Sequence, residues 1–293
     1  MFGKSFSRVC FAAEFLIPMK IFIDQKVVTA DKVMLDSLTP GVLQARGIFE
    51  TMRSDEGCIF LFEDHMVRLQ RGLRLLNLRS PCSQQKIKAT IERLLRLNKL
   101  QHARVRLLIW KEHKKTRIAI MCLAASRISF KKHSQGIEAV ISDKRIKRSK
   151  TSHIKTLNYS FYRQALLSAK RQGKDEVLFL NQHGHLAEGA ISNVFYIRNN
   201  TVYTPAISTG CLNGITRHYV LQSAKSFGLK CRIVKAAKDA LLKADEAFVT
   251  NSLLGIMPLV KVGNVKIGSG KAGVLTQAIF KTYQIHIKKV SKK

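Results

Sequence analysis

The stretch Ile154-Lys155-Thr156-Leu157-Asn158-Tyr159 decides how the chain reads, together with two later ones: Leu186-Ala187-Glu188-Gly189-Ala190-Ile191-Ser192-Asn193-Val194-Phe195 and Leu212-Asn213-Gly214-Ile215-Thr216-Arg217. Singly, each is ordinary. A lysine in a polar segment is usually a snorkelling surface residue, and a glutamate before glycine usually belongs to a turn. Gly214-Ile215-Thr216 says more, because a helix is predicted to begin there, and the free N–H groups of a helix N-terminus favour an anion.

Outward from these segments the chain divides into two parts. Residues 19–28, 48–53 and 58–62 read as strands, the last two joined by the hairpin-like Ser54-Asp55-Glu56-Gly57. Helical spacing follows twice, through Met66, Leu69, Leu73 and Leu76 in residues 63–77, and through Ile87, Ile91, Leu94 and Leu95 in residues 83–98, with Ser83 as N-cap. Strands over 103–110 and 117–124 complete a small α+β domain of residues 19–125. The polar, basic residues 126–135 are predicted to be an interdomain linker, and residues 136–293 a larger mixed domain. In that domain strands are expected over 137–142, 231–235 and 247–251, and strands 176–181 and 190–197 are expected to pair. Helices are expected through Ala165, Leu166 and Ala169 to Gly173, then over 216–227, 238–244 and 272–288. Strand pairs outnumber crossover helices, which argues for α+β and against a doubly wound parallel sheet.

Composition is that of a globular chain: 293 residues, 46% hydrophobic and 24% charged. The six cysteines lie far apart, with no CxxC pair and no histidine at finger spacing, so no metal site and no disulfide framework is predicted, and a reducing, cytoplasmic setting is expected. Past the N-terminus there is no apolar run of about 18 residues, so no membrane span is expected. Residues 1–18 carry Lys4 and Arg8 ahead of an apolar run that Glu14 interrupts, and are read as a non-structural extension. The formal charge is +32, from 51 Lys+Arg against 19 Asp+Glu. Such a field attracts polyanions, and a basic nucleic-acid-binding protein is the outside alternative. The excess is dispersed, however, and no nucleic-acid-binding motif accompanies it, so it is read as a solvated surface that could steer a small anionic substrate.

In order and spacing, the three segments and the upstream Phe49-Glu50-Thr51 and His65-Met66-Val67-Arg68 resemble the fold-type IV pyridoxal-phosphate family, which is D-amino acid aminotransferase-like in fold. The family includes branched-chain aminotransferases, D-amino acid aminotransferases and 4-amino-4-deoxychorismate lyases. The resemblance covers residues 19–290 and implies a pyridoxal 5'-phosphate (PLP) cofactor and a homodimer. It makes Lys155 the Schiff-base lysine and Glu188 the partner of the pyridine nitrogen. The cofactor phosphate falls to Arg68, Ile215, Thr216 and Ser252, and the ring hydroxyl to Tyr159. Asn193 is expected to shape its loop rather than to touch substrate. The chemistry agrees with these roles, since a desolvated lysine among cations loses its proton readily and a carboxylate at the ring nitrogen keeps the ring an electron sink.

Within the family, Phe248-Val249-Thr250-Asn251-Ser252-Leu253-Leu254-Gly255-Ile256-Met257-Pro258 and the segments at 46–53, 188–193 and 209–217 resemble the lyases more than the branched-chain enzymes. Two departures stand out. Ala45-Arg46-Gly47 replaces a common Gly-Asp-Gly turn, and Ile109-Trp110-Lys111-Glu112 replaces the Thr-Arg-Gly of D-amino acid aminotransferases. Arg46 becomes a candidate ligand for a substrate carboxylate, which would need it buried, the alternative being that it points to solvent as part of the basic surface; Arg106 and Lys111 are the further candidates. The resemblance implies conversion of aminodeoxychorismate to 4-aminobenzoate, a folate precursor, and pyruvate. A branched-chain or D-amino acid aminotransferase is the alternative.

Overall fold

A computed structural model describes residues 19–30, 46–126, 130–226 and 228–291. The expectation for residues 1–18 lies outside them. Two sheets organise the described residues. The first has six strands in the order β2-β1-β6-β5-β3-β4: β1 (Met19–Ile23), β2 (Lys26–Ala30), β3 (Gly47–Asp55), β4 (Cys58–Ile59), β5 (His102–Glu112) and β6 (Lys115–Ala124). Every pairing in it is antiparallel. Helices α1 (Phe62–Leu75) and α2 (Gln84–Leu97) cover one face, where Ile48, Met52, Met66, Leu69, Ile91 and Val105 form a core. The Ser83 hydroxyl accepts from the Lys86 N–H, as the predicted N-cap requires. The opposite face carries Phe49, Leu108 and Trp110, and Leu157 packs on it.

The second sheet runs β12-β11-β10-β13-β14-β7-β8-β9, with β15 on β14. Its strands are β7 (Ile137–Ile146), β8 (Glu176–Asn181), β9 (Leu186–Gly189), β10 (Asn193–Arg198), β11 (Thr201–Pro205), β12 (Lys230–Val234), β13 (Glu246–Asn251), β14 (Gly255–Val262) and β15 (Val265–Lys266). Helices α3 (Phe130–Gln135), α4 (Ser160–Arg171), α5 (Ile215–Ser226), α6 (Lys238–Leu242) and α7 (Val274–Ser291) accompany it. The fold is α+β, in agreement with the prevalence of strand pairs in the sequence.

Three details correct the sequence reading. The strand expected over 19–28 is a hairpin, turned at Asp24 and Gln25, whose φ values are 44° and 77°. Strand β8 pairs not with the strand after Glu188 but with β9 and, in parallel, with β7, while β10 pairs with β11 and β13. The expected linker contains a helix, α3, whose His133 is buried and stacks on Phe280 with ring centroids 3.5 Å apart.

Candidate active site

Lys155 lies between β7 and α4 in a segment that is fastened to the first sheet. The Phe49 N–H donates to the Lys155 carbonyl at 2.9 Å, the Leu157 N–H donates to the Gly47 carbonyl at 3.0 Å, and Ile48 and Thr156 form an antiparallel bridge. The ammonium stands 4.5 Å from the Phe49 ring centroid and 5.9 Å from that of Tyr159. Burial, followed by the nearby Arg68, pushes the Lys155 amine down to about 8.

Glu188, at the end of β9, is buried. Its Oε2 accepts the Leu212 N–H at 2.8 Å and its Oε1 the Tyr162 hydroxyl at 3.1 Å. Burial raises its carboxyl to about 7 against those two hydrogen bonds and the field of Lys155. Below the same turn, the buried Glu176 accepts from the Val177 and Ala190 N–H groups at 3.0 Å each and from the Ser192 hydroxyl at 2.6 Å. A Cβ on Gly189 would come within 2.8 Å of the Glu176 Cδ, so this turn admits only glycine without a shift.

Thr216 is buried in the first turn of α5, where Ile215 and Thr216 offer N–H groups with no acceptor inside the helix. The loop before them is shaped by Asn193, whose amide donates to the Leu212 carbonyl at 2.8 Å and whose Oδ1 occupies the space a Cβ on Gly214 would need. Arg68 reaches this loop and donates to the Asn213 carbonyl at 3.3 Å. Ser252 lies half-buried in the turn between β13 and β14, beside Asn251, whose Oδ1 accepts from the Leu253 and Leu254 N–H groups at 2.9 and 2.7 Å. The Tyr159 hydroxyl donates to the Ala190 carbonyl, and its ring stacks on Tyr162 with centroids 5.5 Å apart.

The three candidate carboxylate ligands separate. Arg106 stays with the site: its guanidinium carbon lies 5.5 Å from the centroid of the same Phe49 ring that Lys155 contacts, and its Nε is buried without a hydrogen-bond partner among the described residues. Burial, with the like charges of Arg104 and Arg163, lowers it to about 10, which leaves it charged near neutrality. Of the two readings open for Arg46, the solvent-facing one matches its position. It is exposed and donates to the Leu76 carbonyl at the C-terminal end of α1, where the helix dipole favours a cation. The Lys111 ammonium donates at 2.7 Å to the Lys114 carbonyl in the β5–β6 turn rather than toward Lys155.

Sequence reasoning assigns no role to Glu50, His65, Tyr162 or Glu176. Glu50 carries a signal nonetheless: an acid between Ile48 and Met52 on the helix-covered face of β3 must meet a partner, and His65 and Arg68 stand three residues apart on the helix above.

Residues 47–262 match the family model for amino-transferase class IV. The chain belongs to that family. It is 32% identical over 278 residues to the aminodeoxychorismate lyase of Bacillus subtilis, covering 92% of this chain and 94% of that one. It is 27% identical to a putative branched-chain-amino-acid aminotransferase of Methanocaldococcus jannaschii over 89% of this chain and 94% of that one, and 26% identical to the D-alanine aminotransferase of Bacillus licheniformis over the same shares. The fold matches the T.th. branched-chain amino acid aminotransferase solved with pyridoxamine 5'-phosphate, at a TM-score of 0.83 and 23% identity, covering 92% and 94% of the two chains. Class IV enzymes depend on PLP, and the residues here fit it: an amine with a lowered pKa, a buried carboxyl, a helix N-terminus and a buried arginine. Among the described residues no helix is long and apolar enough to cross a membrane.

Proposed function

We propose that the protein is a PLP-dependent lyase that converts 4-amino-4-deoxychorismate to 4-aminobenzoate and pyruvate. The observation that carries this reading is the 32% identity to the Bacillus subtilis aminodeoxychorismate lyase across nearly the whole of both chains, against 27% and 26% for the two aminotransferases. Lys155 holds the cofactor, Glu188 its ring nitrogen, Tyr159 its ring hydroxyl, and Arg68, Ile215, Thr216 and Ser252 its phosphate. When bound, PLP withdraws electrons from the substrate carbon that bears the amino group.

The chain's own groups do the rest. Lys155 Nζ, with a pKa near 8, is partly neutral at pH 7 to 8, so it can take the proton from that carbon and hold it. Glu188, which keeps a proton up to about pH 7, is suited to share one with a ring nitrogen. The Arg106 Nε, buried and unpaired among the described residues, supplies a donor for a carboxylate of a substrate that carries two. Departure of the enolpyruvyl group as pyruvate leaves an aromatic ring, and no second keto acid is consumed. The proposal places a homodimer of two-domain chains, residues 19–125 and 136–293, in the cytoplasm, with a small anionic substrate and no specific nucleic-acid partner.

Branched-chain or D-amino acid transamination uses the same Lys155 and Glu188, and the two aminotransferase relatives support it as the second reading. One experiment separates them. The PLP-loaded protein receives aminodeoxychorismate alone in one tube and an amino acid with 2-oxoglutarate in the other. Pyruvate in the first supports the lyase. Glutamate in the second with none in the first supports an aminotransferase.

A further inference from the structure

We propose that Glu50 and His65 are positioning residues that hold the Arg68 guanidinium in the orientation in which it receives the phosphate of the cofactor. This inference rests on the reading of Arg68 as a phosphate ligand. Glu50 on β3 and His65 and Arg68 on α1 are buried, with 0%, 1% and 8% of their surfaces exposed. Glu50 Oε1 accepts from Arg68 Nε at 2.8 Å and Oε2 from an Arg68 terminal nitrogen at 2.6 Å, a bidentate fork. His65 Nδ1 lies 2.7 Å from the same Oε2. The second terminal nitrogen of Arg68 donates to the Asn213 carbonyl, directly ahead of Gly214, Ile215 and Thr216.

An arginine has five N–H groups. These contacts use three and leave two, one on each terminal nitrogen, in a plane fixed from both sides. A carboxylate next to an anion site is adverse by charge alone, because it cancels the cation that should attract the phosphate. Its presence is explained by geometry and by burial. Without Glu50, Arg68 would be a desolvated cation free to turn, and a buried charge that loses its partner is costly. Burial by itself would push the Glu50 carboxyl up, but the Arg68 and His65 contacts outweigh it and bring the group down to about 2, so the fork persists over the whole neutral range. His65, whose own pKa is lowered by burial, is neutral there and serves the carboxylate as a hydrogen-bond donor.

Charge and geometry predict opposite signs for one variant. Glu50→Gln removes a negative charge beside the phosphate and, if charge decided, would tighten PLP binding. The positioning role predicts the reverse. The full chain, stripped of cofactor, is titrated with PLP and with pyridoxal, which lacks the phosphate, and binding is followed by visible absorbance. For Glu50→Gln we expect Kd for PLP to rise about tenfold and Kd for pyridoxal to change less than about threefold. Glu50→Asp should recover part of the loss. Where Glu50→Gln does not fold, His65→Gln carries the test, with an expected rise of about threefold confined to PLP. Arg68→Ala should lose the preference for PLP over pyridoxal altogether. If it does lose it while Glu50→Gln and His65→Gln bind PLP as tightly as the parent, or more tightly, the positioning role is wrong and the phosphate reading stands. If Arg68→Ala keeps the preference, the phosphate reading falls and the positioning role falls with it.

Discussion

Phe49 holds Lys155 at two points: its backbone N–H donates to the Lys155 carbonyl at 2.9 Å, and its ring centroid lies 4.5 Å from the Lys155 Nζ. One residue of β3 therefore sets both the height of the lysine backbone and the surface on which its amine rests. The ring favours the charged amine by about 0.5–2 kcal/mol. The fall from the ordinary 10.5 to about 8 is on the order of 3 kcal/mol in the other direction, so burial and Arg68 outweigh the ring and the amine is poised to react.

That poise sets the pH dependence of cofactor loading. The neutral amine is the nucleophile, and a lowered pKa makes it available at lower pH. The rate at which stripped protein takes up PLP should rise about tenfold between pH 7 and 9, with its midpoint near 8, and then level off. Stopped-flow absorbance measures it. A rate that still climbs steeply above pH 10 would mean an ordinary, solvated lysine.

Lys155→Ala should abolish both the visible absorbance of the loaded protein and turnover, while Glu188→Gln should keep the absorbance and lose at least about a hundredfold in kcat. Spectra and rates of the two purified variants decide this. A yellow Lys155→Ala protein would move the attachment point elsewhere.

Gly47 is where the first sheet, β5 and the lysine segment converge. A Cβ there would sit 2.6 Å from the Ile109 carbonyl oxygen and 2.8 Å from the Trp110 Cβ, and would also strike Leu157, two residues past Lys155. Gly47→Ala should therefore cost about 1–3 kcal/mol by overpacking and displace the lysine. The expected outcome is a lower Tm in thermal unfolding together with slower PLP loading. A variant with unchanged Tm and loading would show that the lysine segment is not tied to β3.

The fold was legible where one rule governed a segment. Helical spacing of Met66, Leu69 and Leu73, and of Ile87, Ile91 and Leu94, gave α1 and α2 their buried faces, and Ser83 marked where α2 begins. Residues 19–28 misled because Asp24 and Gln25 interrupt an apolar run without glycine or proline, and their positive φ is fixed by tertiary contacts, among them the Asp24 N–H to the Ile118 carbonyl at 3.1 Å. Strand β9 was hidden because Leu186–Gly189 has only four residues and its carboxylate is buried rather than turned to solvent. In the site, it was the resemblance to the fold-type IV family, carried by the order of the motifs, that brought Lys155, Glu188, Arg68 and Thr216 into view. It could not show the partners of buried charges, so Glu50 and Glu176 were missed, nor the direction of a long side chain, so Arg46 stayed open between the site and solvent until the C-terminus of α1 was seen to draw it to the surface.

With Arg46 at the surface, Arg106 becomes the arginine whose loss should weaken substrate. Arg106→Gln is expected to lower kcat/KM for aminodeoxychorismate at least about tenfold, the effect of losing about 1.4 kcal/mol, with the absorbance of the bound cofactor intact. Arg46→Gln should leave kcat/KM within about twofold. The reverse pattern in steady-state kinetics would return the carboxylate to Arg46.

Lyase chemistry at Lys155 shows itself in the stoichiometry of products formed without a keto acid. PLP-loaded protein is given aminodeoxychorismate in large excess, and pyruvate and 4-aminobenzoate are counted against active sites. Equal amounts of the two are expected, continuing through many turnovers. Release that stops at about one equivalent per site, and resumes only when 2-oxoglutarate is added, would contradict lyase chemistry and identify an aminotransferase.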